Sequence, residues 1–269
     1  MVETRAPERR GDPNVAVLLT WFLPGAGHVY LGRVATGALY FVVLEGLYFL
    51  GWWLTGGRTF EYLDPELQGP LATLLTPEAG NLGAMLMHIK VSAFGASEPL
   101  PFAPLAVYGY MLSALSGTFN LFAACHAHAS ARGVQRSGEL HPFALLVAAW
   151  AVPGLGHWLQ GRRLRAVIVF TLLVGLFALG TWFAAGTNLS RERHFYYWSG
   201  QFLLGLPAIV AELLGGAARV RSELPRLDVG LLYASMAGLL NVLAWLDVFG
   251  VAEERWRKPS SAPEGAVSA

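Results

Sequence analysis

One short stretch occurs twice, and both times it interrupts an apolar run. The first copy reads Trp21-Phe-Leu-Pro24-Gly25-Ala-Gly27-His28-Val-Tyr30-Leu-Gly32-Arg33. The second reads Trp150-Ala-Val-Pro153-Gly154-Leu-Gly156-His157-Trp-Leu-Gln-Gly161-Arg162. Seven of thirteen positions match. Proline removes a backbone donor and disfavours helix in the residue before it. Each copy therefore predicts a helix that stops near the Pro-Gly pair and turns tightly. The unit ends match as well: Gly117-Thr-Phe-Asn120-Leu-Phe-Ala123 aligns with Gly238-Leu-Leu-Asn241-Val-Leu-Ala244, which sets His126 opposite Asp247. Similarity at both ends of each unit predicts an internal duplication.

The apolar runs around these motifs define the setting. The chain is 54% hydrophobic and 14% charged, against about 25% charged in soluble domains. Runs over Val34–Leu54, Leu105–Ala127, Ala166–Ala185 and Val229–Gly250 approach the roughly 20 residues that cross a bilayer. The expected fold is all-α: a polytopic membrane protein with an internal duplication. Its parts are a polar tail (1–14), repeat one (15–128), a polar link (129–141), repeat two (142–250) and a polar, disordered tail (251–269). Arg5, Arg9 and Arg10 before an apolar run imitate a signal peptide. The recurrence of the same Pro-Gly ending at Pro153 argues for a structural segment instead.

Two topologies compete. With re-entrant or short Pro-Gly segments there are four full spans, and Lys and Arg divide 12 inside to 7 outside. With crossing segments there are six spans and inverted repeats, and the division is 11 to 8. The positive-inside rule favours the first slightly. Both place the termini in the cytoplasm, and the setting expected is a bacterial inner membrane. The connector 56–104 holds Arg58 and Lys90 against Glu61, Asp64, Glu66, Glu78 and Glu98. Within it Leu82–Ile89 reads as a short interfacial helix. Phe202–Ala218, interrupted by Gly205 and Pro207, reads as a half-helix at the interface or dipping into the membrane.

The segment Pro24-Gly25-Ala-Gly27-His28-Val-Tyr30-Leu-Gly32-Arg33 resembles the core of the two-transmembrane (TM-two) domain, and Trp245-Leu-Asp247-Val-Phe resembles its terminal Trp/Asp segment. The same pattern occurs in bacterial membrane proteins of unknown function. The resemblance covers about 25 residues at the start of each unit and ten at its end. Copy two departs at Leu159, which replaces the aromatic, and copy one at His126, which replaces the Asp. The resemblance implies a membrane hairpin and no particular chemistry.

Each chemistry-bearing residue has a structural and a functional reading. His28 and His157 sit at helix breaks, where a ring nitrogen can bond a carbonyl freed by the proline. Arg33 and Arg162 follow at a boundary where guanidinium meets lipid phosphate. The functional reading makes these four residues a headgroup or ligand site. Glu45 lies within a span, where a carboxylate is costly and marks a site by default; Val174 stands at its place in copy two. Pro24, Gly25, Gly27, Gly32, Pro153, Gly154, Gly156 and Gly161 shape the turns, while Asn120, Asn241 and Asp247 serve packing. Glu212 reads as structural.

Several classes fall away. A single cysteine, Cys125, allows no internal disulfide or CxxC site. His126 and His128 do not share a helix face, so no metal is expected. Net charge is +1, which offers no field for nucleic acid. No phosphate loop or hydrolase signature is present. The expected function is therefore non-enzymatic and without cofactor: a scaffold or assembly factor that engages membrane lipids or a partner membrane protein. A transporter or channel with a site between the repeats is the alternative, and it requires Glu45 to face a polar cavity. A membrane-embedded enzyme acting on lipid is the third reading, and it requires the two histidines to meet an acid.

Overall fold

The computed structural model describes residues 11–57, 78, 81–94, 103–133, 140–215 and 224–257. The tail basic residues, most of the 58–104 connector charges, Arg136 and the 258–269 tail lie outside them. The described residues are helical throughout. Repeat one holds α1 (Pro13–Phe22), α2 (Ala26–Tyr30), α3 (Val34–Leu54), α4 (Leu82–Phe94) and α5 (Ala106–Ala131). Repeat two holds α6 (Pro142–Ala151), α7 (Leu155–Leu159), α8 (Arg163–Phe183), α9 (Phe195–Phe202), α10 (Leu206–Gly215) and α11 (Leu227–Arg257), with a 3-10 turn at Thr187–Leu189. The bounds of α6, α7 and α8 repeat those of α1, α2 and α3 at a constant offset.

Helices α3, α8 and α11 are long and apolar enough to cross a membrane. The faces of α3 and α8 away from the core carry Leu39, Val42, Trp53, Leu164, Leu172 and Trp182, all more than half exposed. Apolar surface turned outward on long helices is what lipid solvates, and the chain is an all-helical membrane protein. Helix α5 packs along α3 as α11 packs along α8. Its sequence is the less apolar because its neighbours are protein: Gly109, Ser113, Ala114, Ser116, Gly117, Ala123 and Ala127 are all buried. Small residues let membrane helices approach closely.

The closest approach is duplicated. A Cβ on Gly51 would stand 2.5 Å from the Gly109 carbonyl oxygen of α5. At the matching positions, a Cβ on Gly180 would stand 2.7 Å from the Gly230 carbonyl oxygen of α11. This backbone-on-backbone contact marks the end of each helix pair remote from the Pro-Gly motifs. The repeat therefore extends over the whole of each pair.

The Pro-Gly segments do not cross. Helix α1 has ten residues, or about 15 Å, half the roughly 30 Å hydrocarbon core. The chain then turns at Gly25, with φ +81°, and α2 returns beside α1. The Gly27 amide donates to Thr20 Oγ1 at 3.1 Å. The Asp12 amide, just before α1, donates to the Tyr30 hydroxyl at the end of α2 at 3.2 Å. Start and end of the hairpin thus share one level. Gly154, with φ +84°, makes the same turn before α7. Six spans are overturned, because a hairpin whose ends hydrogen-bond to each other enters and leaves by the same side.

Both hairpins open on the same face. His128 at the end of α5 lies 3.1 Å from Glu253 near the end of α11. Arg132 lies 3.7 Å from the same carboxylate. The rings of His126 and His141, the residue before α6, are 5.3 Å apart. The repeats are parallel, not inverted. Helix α11 also runs to Arg257 with Ala252, Glu253 and Trp256 buried, so the polar tail expected from 251 is helical at its start.

From the opposite side the connectors reach inward. Both oxygens of Glu45 accept from the first amides of α4, Leu82 and Gly83, each at 3.1 Å. Helix α4 therefore starts at the depth of Glu45, in the middle of α3. The break between α9 and α10 packs its Gly205 against the Trp150 carbonyl at the tip of α6, so this apolar stretch does dip inward. Glu212 on α10 accepts from the Trp198 indole at 2.7 Å. The two connectors are tied by a buried ion pair, Arg191 Nη2 to Glu78 Oε1 at 2.7 Å.

Two outcomes follow. In a Cys125→Ala background, single cysteines at Asn14 and Leu140 will share one accessibility to an impermeant maleimide, and cysteines at Ala103 and Ala185 the opposite one. Opposite labelling of Asn14 and Leu140 would restore six spans. Gly109→Val and Gly230→Val will each lower the unfolding midpoint in detergent, by about 1–3 kcal/mol of stability. An unchanged midpoint would mean the helix pairs are not in contact there.

Candidate functional site

Each motif histidine is placed by a turn and met by the last helix of its own repeat. His28 on α2 is 0% exposed and His157 on α7 is 2% exposed. His157 Nε2 donates to Asp247 Oδ2 at 3.0 Å. His28 Nε2 lies 3.0 Å from His126 Nδ1. The fold thus puts His126 and Asp247 in equivalent places, as the alignment of unit ends implied. The expectation that the histidine bonds a carbonyl freed by the proline is corrected: its Nε2 reaches a side chain across the bundle.

The freed carbonyls go to asparagine. Asn120 Nδ2 donates to the Thr20 carbonyl at 3.0 Å, at the broken end of α1. Asn241 Nδ2 donates to the Leu203 carbonyl at 3.1 Å. That partner lies at the end of α9, not of α6. The same residue type caps a broken helix in both repeats, but a different helix. A broken helix in an apolar medium needs such a partner.

Copy two is an ion cluster. Arg162 Nη2 lies 2.7 Å from Asp247 Oδ2, and Arg165 Nη1 lies 3.5 Å from the same oxygen. Gln160 donates to the Val248 carbonyl at 2.7 Å, and Arg255 donates to the Gln160 carbonyl at 3.0 Å. Arg163 stands over the Trp158 ring at 5.6 Å. Arg162, expected at lipid phosphate, is thus held by an acid of its own chain. The sequence offered no carboxylate at a fixed spacing from His157; the fold supplies Asp247 from 90 residues away.

Copy one is aromatic and carries no carboxylate at its centre among the described residues. The Tyr40 hydroxyl lies 3.0 Å from His126 Nδ1, so this nitrogen faces two polar atoms. Phe143 packs on both rings, its centroid 6.4 Å from Tyr40 and 5.6 Å from His126. Arg33 Nη1 donates to Ser130 Oγ at 2.7 Å. Among the described residues no group of three or more His, Cys, Asp or Glu side chains is placed to hold a metal ion.

Chemically, the two motif histidines are closed to solvent. Both motif histidines direct Nε2 to an internal partner, and Nδ1 of each is buried with no partner among the described residues. A proton on Nε2 leaves Nδ1 as a bare acceptor, which is cheaper to bury unpaired than a donor. His28 and His157 are each engaged within their own repeat. Glu45 is buried, and both its oxygens accept from the start of α4. The sequence singled out His28, His157, Arg33, Arg162, Glu45, Asn120, Asn241 and Asp247 but not their partners Tyr40, Ser130 and Gln160, nor the Glu78–Arg191 pair. Tyr40 and Ser130 sit on helices as ordinary residues of their kind, and only packing distinguishes them.

A family of unknown function, DUF6677, matches the chain twice, over residues 15–139 and 144–259. The chain belongs to this family. The DUF6677 matches divide the sequence at the same place as the structural repeat. The likeness to the TM-two domain stays at the level of the motif, since the family found is a different one. No curated protein and no solved structure matches the chain. In this DUF6677 protein the match begins within α1 and ends just beyond α11 in the two copies taken together, so the matched residues take in both hairpins and their partner helices.

Glu45→Ala leaves the Leu82 and Gly83 amides buried and unpaired. It will cost about 2 kcal/mol or more and detach α4, read as faster amide exchange in 82–94. Unaltered exchange there would sink the capping role.

Proposed function

We propose that this is a non-enzymatic scaffold or assembly factor of a bacterial inner membrane, and that its twin hairpins engage anionic lipid headgroups from the cytoplasmic face. The observation that carries this reading is the shared opening of both hairpins on one face, rimmed by arginine. Arg33, Arg132, Arg162, Arg163, Arg165 and Arg255 belong to that end of the bundle, and the Arg165 side chain is 57% exposed. Arginine at this density suits the cytoplasmic leaflet by the positive-inside rule and attracts anionic lipid. Both termini then lie in the cytoplasm. A partner membrane protein is the alternative occupant of the same rim.

The competing readings lose support at particular atoms. A lipid-acting enzyme needs a histidine nitrogen that reaches substrate, and both motif rings are buried. A transporter using Glu45 needs that carboxylate free, and it is committed to two amides.

The test is retention of phosphatidylglycerol against phosphatidylcholine by the purified chain, counted by native mass spectrometry. Arg163→Gln with Arg165→Gln will reduce the anionic lipid retained by roughly tenfold in affinity. Equal retention of both lipids by the wild type, or no change in the double variant, would sink the headgroup reading and leave the protein partner.

A further inference from the structure

The two copies differ at the position that decides their charge. In copy two, Asp247 Oδ2 receives Nε2 of His157 at 3.0 Å and Nη2 of Arg162 at 2.7 Å. In copy one His126 stands in that place. It can receive a proton from His28 but brings no negative charge. Arg33, the counterpart of Arg162, has no carboxylate within ion-pair distance among the described residues, and its Nη1 donates to Ser130 Oγ at 2.7 Å.

The position of Arg33 makes this arrangement costly. It is the N-cap residue of α3, a helix of 21 residues, with no side-chain cap and no acid in its first turn. A guanidinium and the positive end of a helix dipole are thus neighbours, and each favours an anion there. Copy two has the same uncapped start at Arg162, and it supplies the anion from Asp247. The hydroxyl of Ser130 is a second difference. Its counterpart in copy two is Val251; the polar neighbour of Arg162 there is instead Gln160, whose Oε1 accepts from Arg162 at 3.2 Å and whose Nε2 is taken by the Val248 carbonyl. Arg33 and Ser130 are both half-exposed, which leaves the pair within reach of a ligand.

We propose that copy one pairs Arg33 with an external phosphoryl anion, as copy two pairs Arg162 with the carboxylate of Asp247. Arg33 is the cation that binds it. Ser130 donates its hydroxyl proton to the anion while its oxygen keeps the bond from Arg33. The first turn of α3 adds its field. The ligand is a phosphate monoester or diester oxygen, carried by a phospholipid headgroup or by free phosphate. Copy two, already filled by its own acid, takes none at that position. This deepens the headgroup reading by naming one site and its chemistry, and the site stands independently of the exposed rim at Arg163 and Arg165.

The test uses the full chain in detergent micelles, with phosphatidylglycerol, phosphatidylcholine and inorganic phosphate as probes, and counts bound molecules by native mass spectrometry. Arg33→Gln will weaken the site by roughly tenfold. His126→Asp will do the same by supplying the missing carboxylate from within. Binding of phosphatidylglycerol that millimolar phosphate does not displace assigns a lipid source, and binding of phosphate alone assigns the free ion. If Arg33→Gln does not fold, Arg33→Lys and Ser130→Ala carry the comparison. The proposal is overturned if neither anion binds the wild type above phosphatidylcholine, or if Arg33→Gln and His126→Asp both bind as the wild type does. Loss with Arg163→Gln and Arg165→Gln but none with Arg33→Gln removes this site and keeps the headgroup reading. The reverse pattern keeps this site and removes the rim.

Discussion

Every element of this bundle answers to one constraint: backbone polar groups at the ends of broken helices must find partners where there is no water. The chain breaks its helices at Pro24, at Pro153 and again at Gly205. Each break frees carbonyls or amides within the apolar layer, where leaving them unpaired costs several kcal/mol. The partners are single side chains from the central helices. Asn120 takes the end of α1 before Pro24 and Asn241 the end of α9 before Gly205, and Glu45 meets the same need at the start of α4. A carboxylate is the natural partner for two adjacent amides at a helix start, because it offers two acceptors and opposes the dipole there. This accounts for a charged residue in the middle of the cleanest apolar span without any ligand.

The duplication gives the bundle its parallel arrangement, and divergence gives the two halves different charge partners. Equivalent residues meet across the junction: Arg132 with Glu253, and His128 with the ring of Phe249 at 6.4 Å. At the far end the link is not symmetric. Arg191 comes from the connector of repeat two, Glu78 from that of repeat one. The guanidinium is covered by the rings of Tyr110, Phe195 and Trp198, each about 5 Å away. Removing one member of a buried pair leaves an uncompensated charge, so this contact fixes how the connectors sit. The hairpin face carries the opposite character, with arginines at its rim and, among the described residues, one of its two centres without an acid.

The sequence determined the fold class, the duplication and the places where helices stop. Those follow from local chemistry: apolar runs of spanning length, a proline that cannot donate, and glycines that accept positive φ. It also paired His126 with Asp247, because the unit ends align without reference to any contact. It did not decide whether the Pro-Gly segments cross, since ten apolar residues before a break are compatible with a hairpin or a crossing, and the charge counts differ by a single residue. Nor did it show what the histidines bond, because the partners lie 98 and 90 residues away along the chain. Tertiary structure decided both. The bond from Asp12 to Tyr30 closes the first hairpin on its own side, and the packing of α5 and α11 brings Asp247 to Arg162 and the Ser130 hydroxyl to Arg33. Helices form from neighbours in sequence, but charge balance in an apolar medium is settled by whichever residues the fold sets side by side.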